Sequence, residues 1–219
     1  MNYEQSMTDG MDTGGMTEIA RGAEGSVYRT SFLGRDAVVK IRSPKGYRIP
    51  ELDRRIRGQR IRAEARLIRD ARRAGLRTPV IYYADPEEGA LVMEDVKGET
   101  VKHRLDTHPE EADELCRAIG KDIAAMHNAR ITHGDLTTSN MILADDGTVC
   151  FIDFSMGTCP AEEEDMGVDL RLLERAFSSA HPKLGDAYRK LLEAYCSAKT
   201  QAEKIMDKVQ EIKDRGRYT

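Results

Sequence analysis

The sequence predicts an α+β chain in two lobes, a small β-rich N-terminal lobe followed by a reduced helical C-terminal lobe. Residues 18–41, EIARGAEGSVYRTSFLGRDAVVKI, read as short apolar runs broken by glycine turns, the pattern of antiparallel strands. From His108-Pro109 onward the apolar residues instead recur at three- and four-residue gaps, the helical period. The chain has 219 residues, 40% of them hydrophobic, but only 5% aromatic and no Trp, so its core must be aliphatic. That length suits one compact domain or two small lobes.

Each element follows in order. Residues 1–16, rich in Gly, Thr, Asp and Met, are expected to be poorly ordered. Three strands follow from Thr17, then a basic helix ending near Gly75, with Leu52, Ile56, Ala63, Leu67 and Ala71 as its expected buried stripe. Strands are expected at Val80–Ala84 and Ala90–Glu94, around the turn Asp85-Pro86-Glu87-Glu88-Gly89. A chain crossing at 94–98 leads to a helix with Leu115, Ile119, Ile123 and Met126 on one face. The loop ITHGDLTTSN runs into a hairpin, MILADDGTVCFID, turning at Asp145-Asp146-Gly147. Helical stripes follow at Leu170, Leu173 and Phe177, at Leu184, Tyr188, Leu191 and Tyr195, and at Ile205, Val209 and Ile212. The expected divisions are 1–16, an N-lobe at 17–94, a C-lobe at 95–204 and an amphipathic, basic tail at 205–219.

Composition excludes several classes. The chain is too apolar for disorder and too charged, at 33%, for a membrane protein. No apolar run approaches the roughly 18 residues of a membrane span. The first residues lack the basic and apolar regions of a secretory signal, so a soluble cytoplasmic protein without a membrane partner is expected. Cys116, Cys150, Cys159 and Cys196 show neither zinc-ligand spacing nor a disulfide framework; Cys116 and Cys150 read as small buried hydrophobes. Charge is uneven. Between Arg42 and Arg77 thirteen Lys or Arg face four acids, in a chain whose net charge is −4. This is either a solvated face or a phosphate-binding surface.

The chemistry lies in His133-Gly134-Asp135-Leu136-Thr137-Thr138-Ser139-Asn140 and the Phe151-Ile152-Asp153-Phe154 beyond the hairpin. An Asp, an Asn five residues on and a second Asp form the order used for phosphoryl transfer. Asp135 can take a proton from an incoming hydroxyl or orient a water, while Asn140 and Asp153 offer the oxygen ligands that Mg²⁺ prefers. In the N-lobe, Gly22-Ala23-Glu24-Gly25-Ser26-Val27 fits a glycine loop whose amides approach the phosphates of ATP. Lys40, at the end of a strand, can pair with those phosphates, and Glu64 in the basic helix can hold Lys40. No G-x-x-x-x-G-K-[ST] is present, which excludes a Walker-type loop. The constellation is an ATP site of the protein-kinase kind.

On these residues the chain resembles the PRPK family, the small atypical kinases of the KEOPS complex of archaea and eukaryotes. The likeness runs from Thr17 to Arg217 through GAEGSVYR, YRIPELDRRIRGQRIRAEARLI, HGDLTTSN, IDFS and GVDLRLLERAF. It implies a bilobal protein-kinase-like fold, with Asp135 as the catalytic Asp and Asn140 and Asp153 as magnesium ligands. Met93–Val96 would be the hinge, with backbone groups of Glu94 and Val96 reading adenine and Val27, Val38 and Ile142 enclosing the ring. Asp169 would brace the catalytic loop. The family's function implies an atypical serine/threonine kinase and ATPase supporting threonylcarbamoyladenosine modification of tRNA. Its partners would be the metal-dependent ATPase and threonylcarbamoyltransferase subunit, a small regulatory subunit on the N-lobe, and tRNA held by the basic helix 51–77 and the C-terminal tail.

Departures are specific. Gly134 replaces the Arg that reads activation-loop phosphate in regulated kinases, and Ser155 stands at the Gly of DFG. Only fifteen residues separate Asp153 from Asp169, without A-P-E, so there is little room for an activation loop. The basic tail, Arg215-Gly216-Arg217, is weaker than the family's. Three alternatives stay open: a small-molecule phosphotransferase of the aminoglycoside or choline kinase type, a RIO-like kinase, and a catalytically inactive scaffold.

Overall fold

The computed structural model describes residues 15–22 and 25–216. The expected disorder of residues 1–14, the glycine-loop positions Ala23 and Glu24, and Arg217 of the tail lie outside these. Two compact units emerge. One runs through Arg66 and takes in Pro79–Val96; the other comprises Leu67–Thr78 and the chain from Lys97 onward. The last turns of the basic helix therefore group with the helical unit, where the sequence placed them in the N-lobe.

The first unit is an antiparallel sheet of β1 (Thr17–Arg21), β2 (Ser26–Phe32), β3 (Arg35–Ile41), β4 (Ile81–Asp85) and β5 (Ala90–Glu94), in the order β1-β2-β3-β5-β4. Leu33 and Gly34, both at positive φ, close the β2–β3 hairpin with the backbone that matches strand twist. Strand alternation then sorts the side chains. Ala37, Val39, Ala90 and Val92 are fully buried on one face, beneath Tyr28, Phe32, Ile41 and Tyr82. The other face carries Val27, Lys40 and Leu91 in one cross-strand row, with Val38 and Met93 in the next.

Helix α1 (Pro50–Arg73) starts with Pro at a position where the missing N–H is harmless; acids occupy its first turn and arginines its last. Gly75, at φ 101°, ends it: Leu76 N–H reaches back to Ala71 O at 3.2 Å. The buried face differs from the expected stripe. It is Asp53, Gly58, Ile61, Glu64, Leu67, Ile68 and Ala71, whereas Leu52 and Ala63 are exposed and Ile56 is half-buried. The cause is polar: Asp53 and Glu64 turn inward to arginine and lysine partners, and apolar spacing alone cannot register that.

The second unit has a three-stranded sheet of β6 (Gly98–Thr100), β7 (Met141–Ala144) and β8 (Val149–Phe151), in that order. Its helices are α2 (Val101–Thr107), α3 (Ala112–Asn128), α4 (Glu163–Ala180), α5 (Gly185–Ala198) and α6 (Ala202–Arg215). Helix α3 packs on α5 and α4 on α6. Gly120 makes the first contact close: a Cβ there would overlap Leu191 O. Helix α2, which follows the 94–98 crossing, was not foreseen. Thr100 caps it, accepting from His103 N–H at 3.2 Å, while Val101 and Leu105 bury its inner face. Among the described residues no helix is long and apolar enough to cross a membrane.

Candidate active site

In the first unit β3 aims Lys40 at α1. Its Nζ donates to Glu64 Oε1 at 2.7 Å, and Arg42 Nη2 donates to Glu64 Oε2 at 2.8 Å. Glu64 is 1% exposed and Arg42 2%, against 14% for Lys40, so one buried carboxylate holds a buried and a reachable cation. Arg42 was not anticipated; nothing in the Val-Val-Lys-Ile-Arg run marks its last residue as internal. Gly22 N–H closes the glycine turn on Gly25 O at 2.9 Å, and a Cβ at Gly25 would overlap Ile41 O. Ser26 is buried and Val27 half-buried at the start of β2. Glu94 N–H bonds Val80 O at 2.8 Å and its carboxylate accepts from Val80 N–H at 3.0 Å, so both groups are engaged within the sheet-bearing unit. Val96 is half-buried at the end of the unit.

In the second unit a tight turn, Thr138–Asn140, brings the acid and amide together. Asn140 Nδ2 donates to Asp135 O at 2.9 Å and to Asp135 Oδ2 at 2.8 Å. This aims the amide nitrogen at the exposed Asp135 carboxylate. Asn140 O accepts from Ile152 N–H at 3.0 Å, fixing the β8 exit, where Asp153 takes a positive φ of 63°. Asp153 Oδ1 accepts from Ser155 N–H at 3.3 Å. Ser155 itself has no positive φ, so a side chain at the DFG glycine position is unstrained. Ile142 lies half-buried on β7.

A buried network sets the loop. Asp169 accepts from His133 N–H (2.7 Å) and Gly134 N–H (2.8 Å), and its Oδ2 lies 3.3 Å from His127 Nε2. Tyr195 Oη stands 2.9 Å from His127 Nδ1. His133 contacts Ile152 O through Nε2 at 2.9 Å, and Asp135 N–H points at its Nδ1 at 3.3 Å. These partners assign the neutral imidazole with its proton on Nε2. Desolvation, opposed by Asp169, pushes its pKa below the ordinary histidine value. Thr138 is tied through His181 to Asp106. Tyr195 was legible only as a packing residue, and His127 and His181 were not singled out at all, since apolar spacing does not report hydrogen bonds.

Gly134 has φ 79°, and a Cβ there would overlap Met156 O. Backbone geometry, not only the absence of a phosphate to read, excludes the arginine found in regulated kinases. Gly134→Ala is expected to displace the loop and lower stability by about 1–3 kcal/mol. Urea denaturation followed by circular dichroism checks it, and an unchanged midpoint refutes it.

Residues 31–184 match the RIO domain family. The KEOPS complex subunit Bud32 of Pyrococcus abyssi is 40% identical over 213 residues, covering 93% of this chain and 96% of that protein. The chain belongs to the Bud32 family. The EKC/KEOPS complex subunit Tp53rkb of Mus musculus is 38% identical over 213 residues, covering 93% of this chain and 87% of that protein. A probable bifunctional tRNA threonylcarbamoyladenosine biosynthesis protein of Methanothermobacter thermautotrophicus is 45% identical over 202 residues, which are 92% of this chain. The chain spans 36% of that bifunctional relative's length. A Mycobacterium tuberculosis structure, described as the complex of Rv3197 with erythromycin, shares the fold. Its TM-score is 0.52 at 20% identity, over 83% of this chain and 55% of that one. The PRPK-type KEOPS kinase and the RIO-like kinase were set apart as alternatives on sequence; the chain matches both the RIO domain family and a KEOPS complex subunit.

Proposed function

We propose that this Bud32-family chain is a Mg²⁺- and ATP-dependent phosphoryl-transfer subunit, an atypical serine/threonine kinase and ATPase. It would act in the cytoplasm within a KEOPS-type assembly that makes threonylcarbamoyladenosine in tRNA. The observation that carries this reading is the Asp135–Asn140 pair, hydrogen-bonded at a loop held by Asp169, in a chain so similar to Bud32 proteins. Asn140 and Asp153 supply amide and carboxylate oxygens, the hard donors that suit Mg²⁺. The metal, when bound, would neutralise the phosphates of ATP. Lys40, steadied by Glu64, would pair with those phosphates; Gly22–Gly25 would cover them, and Val27, Val38, Met93 and Ile142 would enclose adenine. Asp135 would orient the attacking hydroxyl or water and accept its proton.

Magnesium-dependent ATP turnover tests this directly. Asp135 is exposed and, among the described residues, its side chain bonds Asn140, so Asp135→Asn should leave the fold intact and lower turnover about 10²–10⁴-fold. Full turnover in that variant overturns the assignment.

Within this reading the arginines of α1 divide in two. Arg57 is structural, donating to Asp53 Oδ2 at 2.9 Å and Glu88 O at 2.8 Å, and Arg72 donates to Thr78 O. Arg55, Arg62, Arg66, Arg69 and Arg73 instead follow one exposed line about 27 Å long. Arg54, Arg55, Arg62 and Arg66 make no ion pair among the described residues. That surface would hold tRNA phosphates by counterion release, beside the metal-dependent ATPase and small regulatory subunits. Reversing these four charges should weaken tRNA binding and reduce its log–log salt slope by about three. Unchanged affinity and slope in filter binding overturn it.

A further inference from the structure

The second unit has a cavity of about 470 Å³ that shares no lining residue with the catalytic loop. One wall is a face of α3, where Glu114, Leu115, Ala118 and Asp122 recur at helical spacing. Leu143 of β7 and Val149 of β8 continue its apolar surface. Its charges are unequally answered. Glu111 is held by Arg104 through two bonds of 2.8 and 2.7 Å, and Arg77 donates to Thr78 O at 2.7 Å. Glu114 and Asp122 have no hydrogen bond or ion pair among the described residues. Asp122 is moreover half-buried, and desolvation alone pushes its pKa up to about 6. A carboxylate desolvated without a cation destabilises the chain, and an incoming cation would relieve that penalty.

We propose that this cavity docks an extended segment of a protein partner in which paired Arg or Lys residues adjoin aliphatic ones. The cations meet Glu114 and Asp122, and the aliphatic side chains lie on Leu115, Ala118, Leu143 and Val149. With Glu111 held by Arg104, the lining sets two carboxylates against the one Arg77 guanidinium, a balance that disfavours nucleic acid and phosphorylated ligands. The apolar surface gives a small polycation nothing to match, whereas a basic–aliphatic peptide uses both halves. The volume falls in the range of pockets that take a few side chains. The surface is separate from the nucleotide chemistry, and its test reads binding rather than turnover.

The experiment uses the full chain with labelled Leu, Val and Ala methyls. The probes are acetylated, amidated peptides of about twelve residues that carry Arg-Arg and Leu-Gly-Leu, separated by one to four Gly or Ser. At least one spacing should give saturable shifts at Leu115, Leu143 and Val149, and the double variant Glu114→Gln, Asp122→Asn should weaken it about tenfold or more. That variant removes a desolvated charge, so it folds, and its ATP turnover stays at the parent level. No saturable shift with any spacing overturns the proposal, as does equal affinity in the variant. Equal binding of a peptide with Gly for both Leu, or of spermine at the same methyls, also overturns it by making the site a general polycation site.

Discussion

Glu64→Ala is expected to abolish ATP turnover and to destabilise the sheet-bearing unit by about 3–5 kcal/mol. Both effects arise from one carboxylate. Removing it leaves Arg42, at 2% exposure, as a buried cation without the Glu64 carboxylate, and takes the 2.7 Å Glu64 contact from Lys40. Lys40→Met separates the two consequences. Lys40 is more exposed and Glu64 keeps Arg42, so this variant should lose turnover while changing stability by no more than about 1 kcal/mol. Glu64→Gln should fall between them in stability, because an amide oxygen still accepts one bond but carries no charge. Since the chain has no Trp, circular dichroism in urea is the suitable measure of folding. A Glu64→Ala midpoint equal to that of Lys40→Met would show that Arg42 finds another partner and that the ion triad is not a structural element.

The same triad explains what was legible beforehand. Lobe order, five strands of the first sheet and the hairpin at Asp145-Asp146-Gly147 follow from apolar period and turn chemistry, both local properties. The phase of α1 does not. Its inward face contains Asp53 and Glu64, two carboxylates chosen by distant cations, so Leu52 and Ala63 face solvent despite their apolar character. Helix α2 escaped for a different reason: with seven residues it presents only Val101 and Leu105 as a pattern, too short to show a period. In the candidate site, Lys40, Asp135, Asn140 and Asp153 could be singled out from their order and spacing. Arg42, His127 and Tyr195 could not, because each acts by a hydrogen bond across tens of residues of chain. Gly134 was read as a lost arginine, yet its positive φ and its approach to Met156 O give it a backbone role.

Asp169→Ala is expected to lower turnover by at least about 10²-fold while nucleotide affinity changes much less. Asp169 lies on α4 and, among the described residues, bonds none of the proposed metal-binding residues; it holds the loop through the amides of His133 and Gly134. Losing it leaves two inward-facing N–H groups without acceptors, at about 1–3 kcal/mol each, and frees the loop that carries Asp135. A displacement of roughly 1 Å in a reacting group is worth about 10²-fold in rate. Asp169→Asn is a sharper probe. The carboxylate faces three donors: the two amides and, in the tautomer that accepts from Tyr195 Oη, His127 Nε2–H. An amide must turn its NH₂ toward at least one of them, so Asn should lose turnover too, though less than Ala. Tyr195→Phe removes only the outermost bond of the chain and should lower stability by about 1 kcal/mol without altering the rate. Saturation kinetics and nucleotide binding on all three variants distinguish positioning from simple packing. If Asp169→Asn turns over ATP at the parent rate, the loop is held by its own turn at Thr138–Asn140, and the buried Asp169–His127–Tyr195 chain serves the helical core alone.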